Sequence, residues 1–182
     1  MVLRILGIDP GLNTTGYCVL ESQAGGPVLI EAGMIRSSET GRSGDLPERL
    51  KVLFEGVTEV IVQYKPTALA IEQLYAHYEH PRTAILMGHA RGALLLAAAQ
   101  NGLTVTNYAA TQVKKTVTGS GRAGKEQIQL AMLQEFRLAA MPEPADVADA
   151  MAIALCHYHS HDDSTNPMIH AGKRVRLPEQ LR

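Results

Sequence analysis

Val2-Leu3-Arg4-Ile5-Leu6-Gly7-Ile8-Asp9-Pro10-Gly11 reads as an apolar strand that ends on a carboxylate and turns on glycine. Two more strand-like runs follow, Gly16 to Glu21 and Val28 to Arg36, separated by Gly11-Leu12-Asn13-Thr14-Thr15 and Gln23-Ala24-Gly25-Gly26-Pro27. Turn-rich joints of hairpin length predict that the three strands form an antiparallel meander. The polar stretch Ser37 to Asp45 then reads as a loop.

From there the periodicity changes. Leu46, Leu50, Leu53, Phe54, Val57, Val60 and Ile61 recur at helical spacing until Pro66 stops the run, so Leu46 to Tyr64 is an expected amphipathic helix. Thr67 to Glu72 is short and apolar, the signature of a buried parallel strand. A helix from Pro81 to Asn101, ended by Gly102, leads to a fifth strand, Leu103 to Asn107. A short helical turn near Thr111 to Thr116, a Gly-rich loop at 119–124, a helix from Lys125 to Phe136 and a last helix from Asp146 to His159 complete the expected elements. Three antiparallel strands followed by alternating helices and strands predict one α/β domain over residues 1–160, a five-stranded mixed sheet with helices on both faces. Residues 161–182, with two prolines and few large apolar side chains, read as a flexible C-terminal tail.

Composition narrows the function classes. With 182 residues, 46% hydrophobic and 19% charged, the chain can bury a full single-domain core. Its longest apolar stretch, residues 92–99, is too short to span a bilayer, and the N-terminus lacks the pattern of a secretion signal, so a cytoplasmic protein is expected. Cys18 and Cys156 are too few for a disulfide scaffold or a thiolate metal site and read as buried free thiols. Net charge is −1, but residues 111–137 carry Lys114, Lys115, Arg122, Lys125 and Arg137 against only Glu126 and Glu135. A local basic patch of this kind either is a solvated helix face or meets a polyanion.

Four acids carry the chemistry. Asp9 and Glu72 each end an apolar strand, and Asp146 and Asp149, three residues apart, share one face at the start of an Ala-rich helix. Taken singly they have plainer readings, a turn with a solvated Asp at position 9, or Asp146 as helix N-cap with Asp149 against the dipole. Taken together, carboxylates beside a core are costly unless they share a cation, and strand carboxyl ends are where open α/β sheets bind ligands. Oxygen-only donors suit Mg²⁺ or Mn²⁺. Several carboxylates can hold two such ions roughly 3.5–4 Å apart, one activating a water and the other stabilising the leaving oxygen of a phosphodiester. The basic patch fits that substrate.

In order and spacing, Gly-Ile-Asp-Pro-Gly at 7–11, Ala-Ile-Glu-Gln at 70–73, Gly-His-Ala-Arg-Gly at 88–92, Gln-Val-Lys-Lys-Thr-Val-Thr-Gly at 112–119 and Ala-Asp-Val-Ala-Asp-Ala at 145–150 resemble the RuvC family of bacterial Holliday-junction resolvases. The resemblance runs from about Arg4 to His159 and implies an RNase H-like fold. It also implies a homodimeric, Mg²⁺-dependent endodeoxyribonuclease of recombination and DNA repair that nicks two strands of like polarity across a four-way junction. A branch-migration motor of RuvA and RuvB is the implied partner. The four family acids fall on Asp9, Glu72, Asp146 and Asp149, both as catalytic residues and as metal ligands.

DNA-contacting positions follow from the same match. Lys114 and Lys125 correspond to residues near the scissile phosphate, and Lys125 also opens a helix after a Gly-rich loop whose N–H groups could bind phosphate. Lys115 and Arg122 extend that surface. Tyr75, where the family usually carries Phe, could stack on or wedge between bases opened at the junction, with a core Tyr as the plainer reading. The chain departs from the family at Tyr78 and Glu79, leaving Arg82 as the nearest cation of that loop. His157, His159 and His161 read as an incidental polar end of the last helix rather than a zinc site, and His77 and His80 as loop residues. The small residues Gly88, Ala90, Gly92, Ala93, Ala97 and Ala98 suit either core packing or a dimer contact. Two rivals remain, a catalytically silent junction-binding module and an actin-like or sugar-kinase-like ATPase, although the latter needs a second lobe.

Overall fold

The computed structural model describes residues 2–37, 45–74 and 81–165, with side chains as far as His161. The strands are β1 (Arg4–Asp9), β2 (Thr14–Gln23), β3 (Gly26–Arg36), β4 (Ala68–Glu72) and β5 (Thr104–Tyr108). The helices are α1 (Leu46–Tyr64), α2 (Pro81–Gln100), α3 (Ala110–Thr118), α4 (Lys125–Glu135) and α5 (Ala145–Thr165). The sheet order is β3-β2-β1-β4-β5, with β1 antiparallel to β2 and parallel to β4. β1 is therefore central.

Its alternation sorts the two layers. Ile5 faces a core shared with Cys18, Leu20 and Ala70 and covered by α3, α4 and α5. Leu6 and Ile8 face the opposite core, shared with Leu69 and Ile71 and covered by α1 and α2. Both faces of β1 and β4 are thus dry, which is why these two strands read as continuous apolar runs. Both cysteines are buried and free.

Besides shifts of one or two residues at strand and helix ends, α3 and α5 differ from the sequence expectation. The expected turn at Thr111 to Thr116 is the nine-residue helix α3: Val113 and Val117, one turn apart, bury against the core, and Gly119 in the left-handed conformation caps it by donating to the Lys115 carbonyl at 2.9 Å. α5 begins at Ala145, so Asp146 lies in its first turn and is not its N-cap. At its other end α5 runs to Thr165, past the expected stop at His159. Along its later turns the Ser160 hydroxyl donates to the Cys156 carbonyl at 2.8 Å and the His161 ring stacks on His157 at 6.0 Å between centroids. Residues 166–182 lie outside the described residues.

Candidate active site

β1 and β4 run parallel, so their final residues, Asp9 and Glu72, stand at the same edge of the sheet. Ala70 packs in the α5-side core and Ile71 in the other, so Glu72 projects toward α5 by the two-residue period. What brings α5 over that edge is the absence of side chains beneath it. A Cβ on Gly16, the register partner of Asp9, would stand 2.0 Å from the carbonyl oxygen of Asp146. One on Gly7 would stand 2.4 Å from the carbonyl oxygen of Ala150. The helix main chain therefore lies directly on β1 and β2.

The consequence is a cluster. One carboxylate oxygen from each of Asp9, Asp146 and Asp149 lies within 4.8 Å of the others, and all three residues keep partial solvent access. Glu72 stands outside that trio but within electrostatic reach of Asp9 and Asp149. Burial, then the charges of Asp149, Glu72 and Asp146, push the Asp9 carboxyl up to about 8, with Lys125 pulling the other way. Burial raises Asp149 as well, opposed by Lys125 and Lys114 and reinforced by Asp146. Glu72 is raised by burial and by Asp149, and lowered by Lys114. Like charges crowded at the rim of a core make a deficit of positive charge, and the donors are all oxygens. That set fits a hard divalent cation.

The turn after Asp9 is braced from two sides. The Thr15 hydroxyl donates to the Gly11 carbonyl at 2.7 Å. Arg49 of α1 donates to Ser37 Oγ at 3.2 Å and to the Asn13 side chain, while the Ser37 hydroxyl donates to the Leu12 carbonyl.

Of the basic residues, Lys114 on α3 and Lys125 at the start of α4 act on the acids electrostatically. Lys115, Arg122 and Arg82 are exposed. The loop between α3 and α4 differs from expectation: the N–H groups of Ser120, Arg122, Ala123 and Gly124 are bonded to Thr118 Oγ1, Ser120 Oγ, the Ser120 carbonyl and Gln127 Oε1. Tyr75, and the His77, Tyr78, Glu79 and His80 positions with it, lie outside the described residues.

His157 and His161 do share a helix face, because α5 continues. His157 is buried, shares a 2.9 Å hydrogen bond between Nδ1 and the Tyr108 hydroxyl, and is lowered by burial and by His161. It belongs to the core, and no metal-binding group of three among the described residues includes it. One residue given no role from sequence is Arg91 of α2, whose Nε donates to the Glu72 carbonyl at 3.1 Å while its guanidinium also bonds the Asn107 side chain. Its signal was its isolation, as the one charged residue between Arg82 and Gln100.

A family model described as crossover junction endodeoxyribonuclease RuvC matches residues 5–157, a span that includes all four acids and both lysines. The chain belongs to the RuvC family. Among curated relatives, the RuvC crossover junction endodeoxyribonuclease of Rhodopirellula baltica is 56% identical over 155 residues, 85% of each chain. A Thermus thermophilus RuvC structure superposes with a TM-score of 0.78 at 32% identity, covering 91% of this chain and 98% of that one. T. thermophilus RuvC in complex with Holliday junction substrate gives the same TM-score at 30% identity, covering 89% and 97%. The mixed sheet with its strand order is accordingly the RNase H-like fold of RuvC, as the sequence resemblance implied.

Proposed function

We propose that this RuvC-family chain is a structure-selective endodeoxyribonuclease that resolves four-way DNA junctions by paired symmetric nicks, in recombination and DNA repair. The observation that carries this reading is the convergence of Asp9, Asp146 and Asp149, from opposite ends of the chain, beside Glu72 and two lysines. Asp9, Glu72, Asp146 and Asp149 would hold Mg²⁺, two ions per site, with Mn²⁺ able to substitute. Bound there, such ions supply Lewis acidity for the attacking water and for the leaving 3′ oxygen of a phosphodiester.

The chain's own residues do the rest. At Asp9 a cation would compete with a proton for the same carboxylate oxygens. Lys114 and Lys125 flank the acids and are suited to hold the non-bridging phosphate oxygens, offsetting the repulsion between a polyanion and four carboxylates. Lys115, Arg122 and Arg82 would extend this contact along the DNA backbone, and Tyr75 would stack on bases at the junction centre.

A homodimer suits a two-fold substrate. α2 supports this with an outward stripe in which Ile85 is 62% and Leu96 53% exposed and Gly88 and Gly92 have open space above them. Partnership with RuvA and RuvB, a cytoplasmic location and a single nuclease domain over residues 1–160 belong to the same proposal. No helix among the described residues is long and apolar enough to cross a membrane. The test is cleavage of a synthetic mobile junction during a Mg²⁺ titration. Symmetric nicking that Asp9→Asn abolishes, with junction binding retained, supports the assignment; near-normal cleavage by that variant defeats it, and binding without cleavage by the parent chain favours a silent junction-binding module.

A further inference from the structure

β4 is flanked on both sides only as far as Ile71, the last residue paired with β1. One residue later, Glu72 keeps its β5 neighbour, Tyr108, whose carbonyl accepts from Gln73 N–H at 2.8 Å, but has lost the β1 ladder. A strand end held on one side alone can swing, and the carboxylate it carries swings with it. The Glu72 carbonyl is instead taken by Arg91, whose Nε lies 3.1 Å away. The same guanidinium reaches the side chain of Asn107 on β5.

We propose that Arg91 is a positioning residue, whose guanidinium ties the end of β4 to β5 and thereby sets where the Glu72 carboxylate stands relative to Asp9 and Asp149. The inference rests on the reading of these acids as a metal site and adds to it a residue that touches neither metal nor DNA.

Three features favour this role over a surface charge or an ion pair. First, Arg91 rises from α2, on the sheet face opposite the one Glu72 projects from, so it acts through the main chain and not the carboxylate. Second, it sits on a fixed platform: its neighbour Ala90 and Leu94, one turn on, are fully buried. A site is held more closely by a rigid element than by a loop. Third, the acceptors are two neutral oxygens on adjacent strands, reached by two different nitrogens of one planar guanidinium, a fixed spacing of donors that the single nitrogen of a lysine does not reproduce. Burial works against the charge on Arg91, and its two hydrogen bonds offset part of that desolvation.

The test compares Arg91→Ala, Arg91→Lys and Asn107→Ala with Glu72→Gln and Asp9→Asn in the full-length protein. Mn²⁺ affinity is measured by calorimetry, junction affinity in Ca²⁺, and cleavage under single turnover across a Mg²⁺ series. Arg91→Ala should weaken Mn²⁺ binding about tenfold or more, as removal of an outer-shell support does. It should leave junction affinity within about twofold, and excess Mg²⁺ should recover its cleavage but not that of Glu72→Gln. Arg91→Lys and Asn107→Ala should each fall between Arg91→Ala and the parent, and they carry the test if the alanine variant does not fold. Unchanged Mn²⁺ affinity in all three variants, or loss of junction binding in step with cleavage, overturns the role of Arg91. If Glu72→Gln and Asp9→Asn also leave Mn²⁺ binding unchanged, the metal-site reading itself falls, and the proposal with it.

Discussion

Asp9→Asn should make the metal-free protein more stable at neutral and alkaline pH while removing its response to divalent ions. Asp9 has an ordinary value of 3.8 and is pushed up to about 8 by burial and by the charges of Asp149, Glu72 and Asp146. The folded state therefore keeps a proton that the unfolded state releases. For an acid raised in this way, stability is undiminished below pH 4, falls as pH rises to about 8, and then levels. At pH 7.5 the span is 3.7 pH units above 3.8, and at about 1.36 kcal/mol per unit the ceiling is about 5 kcal/mol. Asp9 keeps partial solvent access, so roughly 2 kcal/mol is a fairer expectation. An uncharged Asn escapes this cost, and for a chain of this size the melting temperature should rise by roughly 5 °C. The assay is thermal melting of both proteins in EDTA from pH 5 to pH 8, then with Mg²⁺. The gap should widen with pH in EDTA and reverse with Mg²⁺, because a ligand stabilises only the state that binds it. If Asp9→Asn melts no higher than the parent at pH 8, or the gap ignores pH, the electrostatic picture of the site is wrong.

Gly16→Ala places a methyl 2.0 Å from the Asp146 carbonyl, and backbone on both sides leaves neither partner free to give. It should cost about 1–3 kcal/mol and displace the first turn of α5, with Mn²⁺ affinity and cleavage falling further than the melting temperature alone explains. Parent-like melting and cleavage would contradict the close approach. Lys125→Met removes a charge that lowers Asp9 and Asp149, so both acids should rise and the pH midpoint for Mn²⁺ binding should move upward. An unmoved midpoint in calorimetry at several pH values would show that Lys125 does not act on the acids.

Legibility of the sequence followed the range of the interactions. β1 and β4 were readable because both cores press on them, and α1 because its apolar residues recur at helical spacing up to Pro66. α3 was underestimated because its helical signal rests on just two buried valines, and α5 because its last turns carry polar residues in place of an apolar run. The four acids stood out because each ends or opens an element beside a core. Local pattern could not reveal why they meet: Gly16 reads as an ordinary turn-to-strand glycine until the helix carbonyl above it is known. Arg91 was hidden for the same reason, since its acceptors on β4 and β5 come together only in the folded sheet. In the Gly-rich loop, sequence could not show that the amides of Ser120, Arg122, Ala123 and Gly124 are taken by Thr118, Ser120 and Gln127.

The most direct measurement is a crystal structure of the protein soaked in Mn²⁺, with anomalous scattering locating the ions. Density bounded by Asp9, Glu72, Asp146 and Asp149 at the shared edge of β1, β4 and α5 is the expected result. Carboxylates turned away from one another, with Mn²⁺ elsewhere or absent, would contradict the account.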